Sequence, residues 1–152
     1  MNIATTQFSL ENKALEIYLS GCDGSCVGCH NPELWDFAIG DDWVLAISDI
    51  IKKVKEFDEL IDHIWILGGE PLLQNHKDIS DMLIAFHNEI GYKKIWLFTR
   101  FEFSEIPRDI KKLCDYIKCG KYVDSLKTNS NIQLGIKLAT SNQYIKYMGG
   151  EQ

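Results

Sequence analysis

Three compact apolar runs, at 14–19, 63–67 and 94–99, alternate with two stretches whose apolar residues recur at helical spacing. This order constrains the fold more than any other feature of the chain. The first helical stretch starts at Asp41-Asp42, whose carboxylates suit a helix N-terminus, and carries Trp43, Ile47, Ile50, Ile51, Val54 and Phe57. The second carries Ile79, Met82, Leu83, Phe86 and Ile90, with Gly91 placed to end it. Strand, helix, strand, helix, strand is the signature of an α/β fold, a parallel sheet with crossover helices. Beyond Thr99 the pattern weakens. A short helix is expected over 105–113, extended pieces over 115–118 and 121–126, and strands over 132–138 and 144–147.

Ligands of such sheets bind beyond the carboxyl ends of the strands. Here a cysteine-rich loop follows the first run, Gly68-Gly69-Glu70-Pro71 follows the second, and Thr99-Arg100 closes the third. The three segments are expected to meet at one edge of the sheet. By itself the Gly-Gly-Glu-Pro segment also suits a plain strand-ending turn with Pro71 opening a helix.

The 152 residues are expected to form one domain, short of the roughly 250 residues of a complete eight-fold α/β barrel. A net charge of −6 argues against nucleic-acid or anionic-membrane partners. There is no run of about 18 apolar residues to span a membrane. The first residues lack the basic-then-apolar pattern of a secretory signal, so a cytoplasmic setting with reduced thiols is expected.

Of five cysteines, three fall in the spacing Cys22-x3-Cys26-x2-Cys29. Thiolates are soft ligands suited to zinc or iron–sulfur centres. Glycines at 21, 24 and 28 let the loop turn tightly. Three readings stand at this point: buried free thiols, a zinc site completed by His30, Cys114 or Cys119, and an iron–sulfur cluster with one iron left open.

This cysteine spacing after a first strand, with Gly68-Gly69-Glu70-Pro71 after the second, resembles the radical S-adenosylmethionine superfamily. Ser20-Gly21-Cys22, Gly28-Cys29-His30-Asn31, Trp35, Leu72, the 94–99 run and Ser141-Asn142-Gln143 resemble its branch that activates anaerobic (class III) ribonucleoside-triphosphate reductases. Arg100 stands where that branch often has glycine, and Cys119-Gly120 where Asp-Gly is common. The resemblance implies a truncated, partial (β/α) barrel-like parallel sheet. It implies a [4Fe–4S] cluster on Cys22, Cys26 and Cys29, with S-adenosylmethionine chelating the open iron. One electron then breaks the carbon–sulfur bond, giving methionine and a 5′-deoxyadenosyl radical.

On the same basis Gly68, Gly69 and Glu70 meet the methionine end, Gly28 and His30 lie near the adenine, and Thr99 bonds the carboxylate or ribose. Lys118 reaches the same edge. The implied partners are the large glycyl-radical subunit and a low-potential electron donor such as flavodoxin. Two alternatives compete: a radical enzyme acting on another protein, peptide or small molecule, and a zinc-stabilised binding module without catalysis.

Overall fold

The computed structural model describes residues 1–24, 26–29 and 31–149. The chain opens with β1 (Asn2–Ser9), which turns back into β2 (Ala14–Leu19). Strand β3 (Asp41–Asp42) runs directly into α1 (Trp43–Glu56). Then follow β4 (His63–Gly68), α2 (His76–Ile90), β5 (Lys94–Phe98), α3 (Arg108–Lys112) and β6 (Tyr116–Cys119). A small hairpin, β7 (Ile132–Gln133) and β8 (Ile136–Lys137), precedes the last strand, β9 (Tyr144–Tyr147). Among the described residues no helix is long and apolar enough to cross a membrane.

The main sheet has the order β3-β1-β2-β4-β5-β6-β9. Its four central strands, β2, β4, β5 and β6, are parallel. The flanking pairings, β1 with β2, β3 with β1 and β9 with β6, are antiparallel. Successive parallel strands lie side by side, and among the described residues each connection carries one α-helix.

Alternation along the strands separates two faces. Leu15, Ile17 and Leu19 of β2, Ile64 and Ile66 of β4, Ile95 and Leu97 of β5, and Ile117 of β6 share one aliphatic core with α1, α2 and α3. The helices contribute Ile50, Val54, Ile79, Met82, Leu83, Phe86, Ile90 and Ile110 to it. Full burial of a side chain such as Phe86 stabilises the fold by about 1.5–3 kcal/mol. The opposite face is aromatic: Trp65, Trp96, Phe98 and Tyr116 lie together, and Trp96 and Tyr116 stack at 4.1 Å between centroids. Trp96 Nε1 donates to His63 Nδ1 at 3.0 Å, so His63 is a structural member of this face.

The first long helix starts at the Asp41-Asp42 position the sequence suggested, and the second is capped by Asn75, which the sequence pattern did not single out. Asp42 accepts the Val44 N–H at 2.9 Å. Asn75 Oδ1 accepts from Lys77 N at 3.0 Å and Asp78 N at 3.3 Å. These bonds satisfy helix N–H groups that have no partner within the helix.

Four sequence expectations need correction. The 14–19 run is the second strand, not the first, because the weakly apolar β1 borrows its pairing from β2. The sheet is mixed rather than wholly parallel, since its outer strands return antiparallel. The 132–138 stretch is a hairpin. Leu134 and Gly135 both have positive φ, 51° and 79°, as a two-residue hairpin turn with right-handed twist requires. The 121–126 stretch ends in a 3-10 turn, Asp124–Leu126, and is not extended throughout. Gly91 does end α2, but with φ −63°. A glycine is needed there because a Cβ would stand 2.3 Å from His87 O.

Candidate functional site

The carboxyl ends of β2, β4, β5 and β6 open onto one cavity of about 280 Å³. Cys22, Cys26, Gly28 and Cys29 line it from the loop after β2, and Gly68, Gly69 and Glu70 from the turn after β4. Thr99 and Arg100 line it from the end of β5, and Lys118 and Gly120 from β6 and beyond. Every site residue expected from sequence is therefore at this cavity except His30, which lies outside the described residues. Asn31, Trp35, Leu67, Phe98, Tyr122, Ala139 and Gln143 complete the wall.

The cysteine loop is fastened at its start. Gly21 N donates to Leu34 O at 2.7 Å, and Cys22 N to Trp35 O at 3.1 Å. Gly21 has φ +102°, and a Cβ there would stand 2.2 Å from the Phe37 ring, so no other residue fits. Ser20 anchors the same segment, its hydroxyl donating to Ile39 O at 2.7 Å. Burial pushes the Cys22 thiol up, against the opposing pull of the Gly24 N–H and the Arg100 charge.

The Gly-Gly-Glu turn is built chiefly against this loop. Gly69 N donates to Leu19 O at 2.7 Å and Glu70 N to Gly21 O at 2.9 Å. A Cβ on Gly69 would stand 2.4 Å from Gly21 O. Gly69 is glycine because the backbone at Gly21, the base of the cysteine loop, crosses it, a constraint that holds whatever binds in the cavity. The buried Gln74 side chain joins the same segments, donating to Ser20 O and Gly21 O at 3.0 Å and to Glu70 O at 3.2 Å.

Glu70 is buried, and protein donors engage both carboxylate oxygens. Thr99 Oγ1 donates to Oε1 at 2.7 Å, Leu72 N to Oε1 at 2.9 Å and Arg100 N to Oε2 at 2.9 Å. Burial raises its pKa and these three bonds resist the rise. Glu70 thus ties the turn after β4 to the end of β5. Arg100 keeps an ordinary backbone, with no positive φ. Lys118 donates to Gly120 O at 3.1 Å, and burial brings its ammonium down to about 8.

Among the described residues no group of three His, Cys, Asp or Glu side chains stands preassembled around a metal position. The donor chemistry nonetheless suits an iron–sulfur centre, since three thiols line one cavity. Cys114 and Cys119 are buried in the aliphatic core under the helices and do not line it. Burial raises both, Cys119 to about 11. A zinc site completed by either one conflicts with this placement. His76 pairs with Asp109 and His87 with Leu113 O, both away from the cavity.

Sequence reasoning missed Gln74, Asp23, Phe98 and Tyr122. Phe98 had a signal, since a strand-end residue next to Thr99 shares the carboxyl edge. Gln74 and Asp23 reach partners more than fifty positions away, which no local pattern encodes, and Tyr122 carried no signal.

A mixed sheet whose parallel strands carry three thiols at one carboxyl edge suits an iron–sulfur protein of the α/β class. The family model of the 4Fe-4S single cluster domain matches residues 13–146, and the chain belongs to that family. Among its relatives is the anaerobic ribonucleoside-triphosphate reductase-activating protein of Escherichia coli K12. It is 30% identical over 137 residues, covering 87% of this chain and 86% of the relative. The protein of that name from Salmonella typhimurium is 29% identical over 139 residues, with 87% and 86% covered. That from Enterobacteria phage T4 is 28% identical over 115 residues, with 74% and 72% covered.

Proposed function

We propose that this chain is the activating enzyme of an anaerobic ribonucleoside-triphosphate reductase, generating a glycyl radical on the large reductase subunit. The observation that carries this reading is the convergence of Cys22, Cys26 and Cys29 with the Gly68-Gly69-Glu70 turn on one cavity. The chain that presents it covers 86% of an activating protein's length. On this reading the whole chain is one domain, its sheet a truncated, partial (β/α) barrel-like sheet of the radical S-adenosylmethionine type.

Cys22, Cys26 and Cys29 would hold three irons of a [4Fe–4S] cluster and leave the fourth to the amino and carboxylate groups of S-adenosylmethionine. When bound, this pair supplies one electron to the sulfonium and the carbon radical that takes hydrogen from a glycine. The chain's own work is placement. Glu70, Thr99 and Gln74 keep three loop ends in register, which fixes distances at the cavity without occupying it. Gly28, His30, Gly68, Gly69, Glu70 and Thr99 are the groups assigned to the co-substrate. Lys118 offers a cation on the opposite wall.

The cavity is open, and a reactive carbon radical must be kept from water. The glycine-bearing loop of the partner subunit is the assigned closure. A flavodoxin-like donor of low potential would supply the electron. A cytoplasmic setting suits half-buried, reduced thiols, and the net charge of −6 argues against nucleic-acid or anionic-membrane partners.

The test is anaerobic mixing of the iron-loaded protein with reductant, S-adenosylmethionine and its cognate large reductase subunit. The expected product is an electron paramagnetic resonance doublet that collapses when glycine is α-deuterated. Deoxyadenosine release with no protein radical would move the assignment to a peptide or small-molecule substrate.

A further inference from the structure

The cysteine loop contains a second fastening that the proposed reaction does not by itself require. Asp23 follows Cys22 directly, and its carboxylate meets the guanidinium of Arg100, a residue that lines the cavity. Arg100 Nη1 lies 2.6 Å from Asp23 Oδ1 and Nη2 lies 2.5 Å from Oδ2. Two parallel N–H···O bonds of this kind fix orientation as well as distance, and a lysine in place of the arginine cannot make both. The arginine side chain is 17% exposed and the aspartate 48%, so the pair is partly shielded from water. The Arg100 backbone N–H meanwhile donates to Glu70. One residue therefore touches both other loops of the site, the Gly-Gly-Glu turn through its backbone and the cysteine loop through its side chain.

We propose that Arg100 is a positioning residue for Cys22, acting through Asp23. The ion pair anchors the cysteine loop to the end of β5 and sets a balanced pair of charges beside the first cluster ligand. This inference rests on the assignment of Cys22 as a ligand. The physical need for an anchor is plain. Gly21, Gly24 and Gly28 all have positive φ, and a loop so rich in glycine loses much conformational entropy on ordering. Its backbone bonds at Gly21 and Cys22 face Leu34 and Trp35 on one side. The Asp23–Arg100 pair ties it on the other.

The charge balance has its own consequence. Adding an electron to a nearby centre is favoured by a cation and opposed by an anion. Neutralising one partner leaves the other's charge uncompensated next to Cys22. Arg100→Gln and Asp23→Asn must then move the cluster's midpoint potential in opposite directions, the first negative and the second positive. The double variant Asp23→Asn/Arg100→Gln returns toward the parent value. A loop that is merely disordered by substitution does not give opposite signs.

The experiment uses the full chain, reconstituted anaerobically, with two readouts: midpoint potential by spectroscopically monitored titration, and the rate of iron loss to a ferrous chelator. Both single variants and the double variant should lose iron faster, by roughly five-fold, as fits a half-exposed ion pair. Arg100→Lys keeps the charge and breaks the fork, so its potential should stay while iron loss accelerates. Unchanged potentials in both single variants, or shifts of the same sign, overturn the proposal, provided that Cys22→Ala still loses its iron. Retention of full iron in Cys22→Ala overturns the ligand assignment, and the proposal with it.

Discussion

Residue by residue, the site is a set of constraints on backbone approach as much as a set of ligands. Gly69 shows this best. The sequence suggested a glycine that lets a ligand come close. The structure places its missing Cβ 2.4 Å from Gly21 O, one residue before Cys22. Gly69→Val should therefore lower iron loading as well as affinity for S-adenosylmethionine, because the branched side chain displaces the base of the cysteine loop. Iron content after reconstitution checks this, and full loading with weakened co-substrate binding would restore the simpler reading. The cysteines divide in the same way. Cys22→Ala, Cys26→Ala and Cys29→Ala should each lose the cluster. Cys119→Ala should keep it, since Cys119 is buried under the helices away from the cavity. Loss of iron from Cys119→Ala would make that residue a ligand.

The elements owe their positions to caps and faces. α2 buries Ile79, Met82, Leu83, Phe86 and Ile90 against the sheet, and Asn75 terminates it with two side-chain bonds. Asn75→Ala should destabilise the chain by about 1 kcal/mol, read as a lower denaturation midpoint with an unchanged slope. Asn75→Asp, which keeps the acceptor and favours the helix dipole, should restore the midpoint. The turn that leads into this helix carries Glu70 and Gln74, so the cap also steadies the cavity wall. A small loss of cluster retention in Asn75→Ala should accompany the loss of stability.

For the whole molecule, the sheet's two faces have different duties. Helices cover the aliphatic face, and the aromatic face leads up to the cavity through Leu67, Phe98 and Lys118. Lys118 carries an electrostatic cost in that position. Burial brings its pKa from 10.5 down to about 8, so between these values the unfolded chain holds a proton that the folded chain has released. Stability then rises with pH across that window, and at pH 7 the buried ammonium costs up to about 3 kcal/mol. Lys118→Met in the iron-free protein should be more stable than the parent at pH 7. The difference should shrink as pH rises from about 8 to 10.5. A constant difference across that range would show that Lys118 keeps its charge in the fold.

The alternation of the central strands with the two long helices, the start of the first helix, and the meeting of the cysteine loop, the Gly-Gly-Glu turn and Thr99-Arg100 at one edge were legible in the sequence. These depend on periodicity, spacing and the direction of a parallel strand, which are local properties of the chain or follow directly from them. The tertiary structure alone decided the rest. β1 carries little apolar signal and exists because β2 offers it an edge. Glu70 accepts bonds from Thr99 and Arg100, about thirty residues away, and Asp23 meets Arg100 across 77 positions. No local pattern encodes such a pair. It forms because a parallel sheet brings the carboxyl ends of its strands together, and only then can two distant side chains find each other.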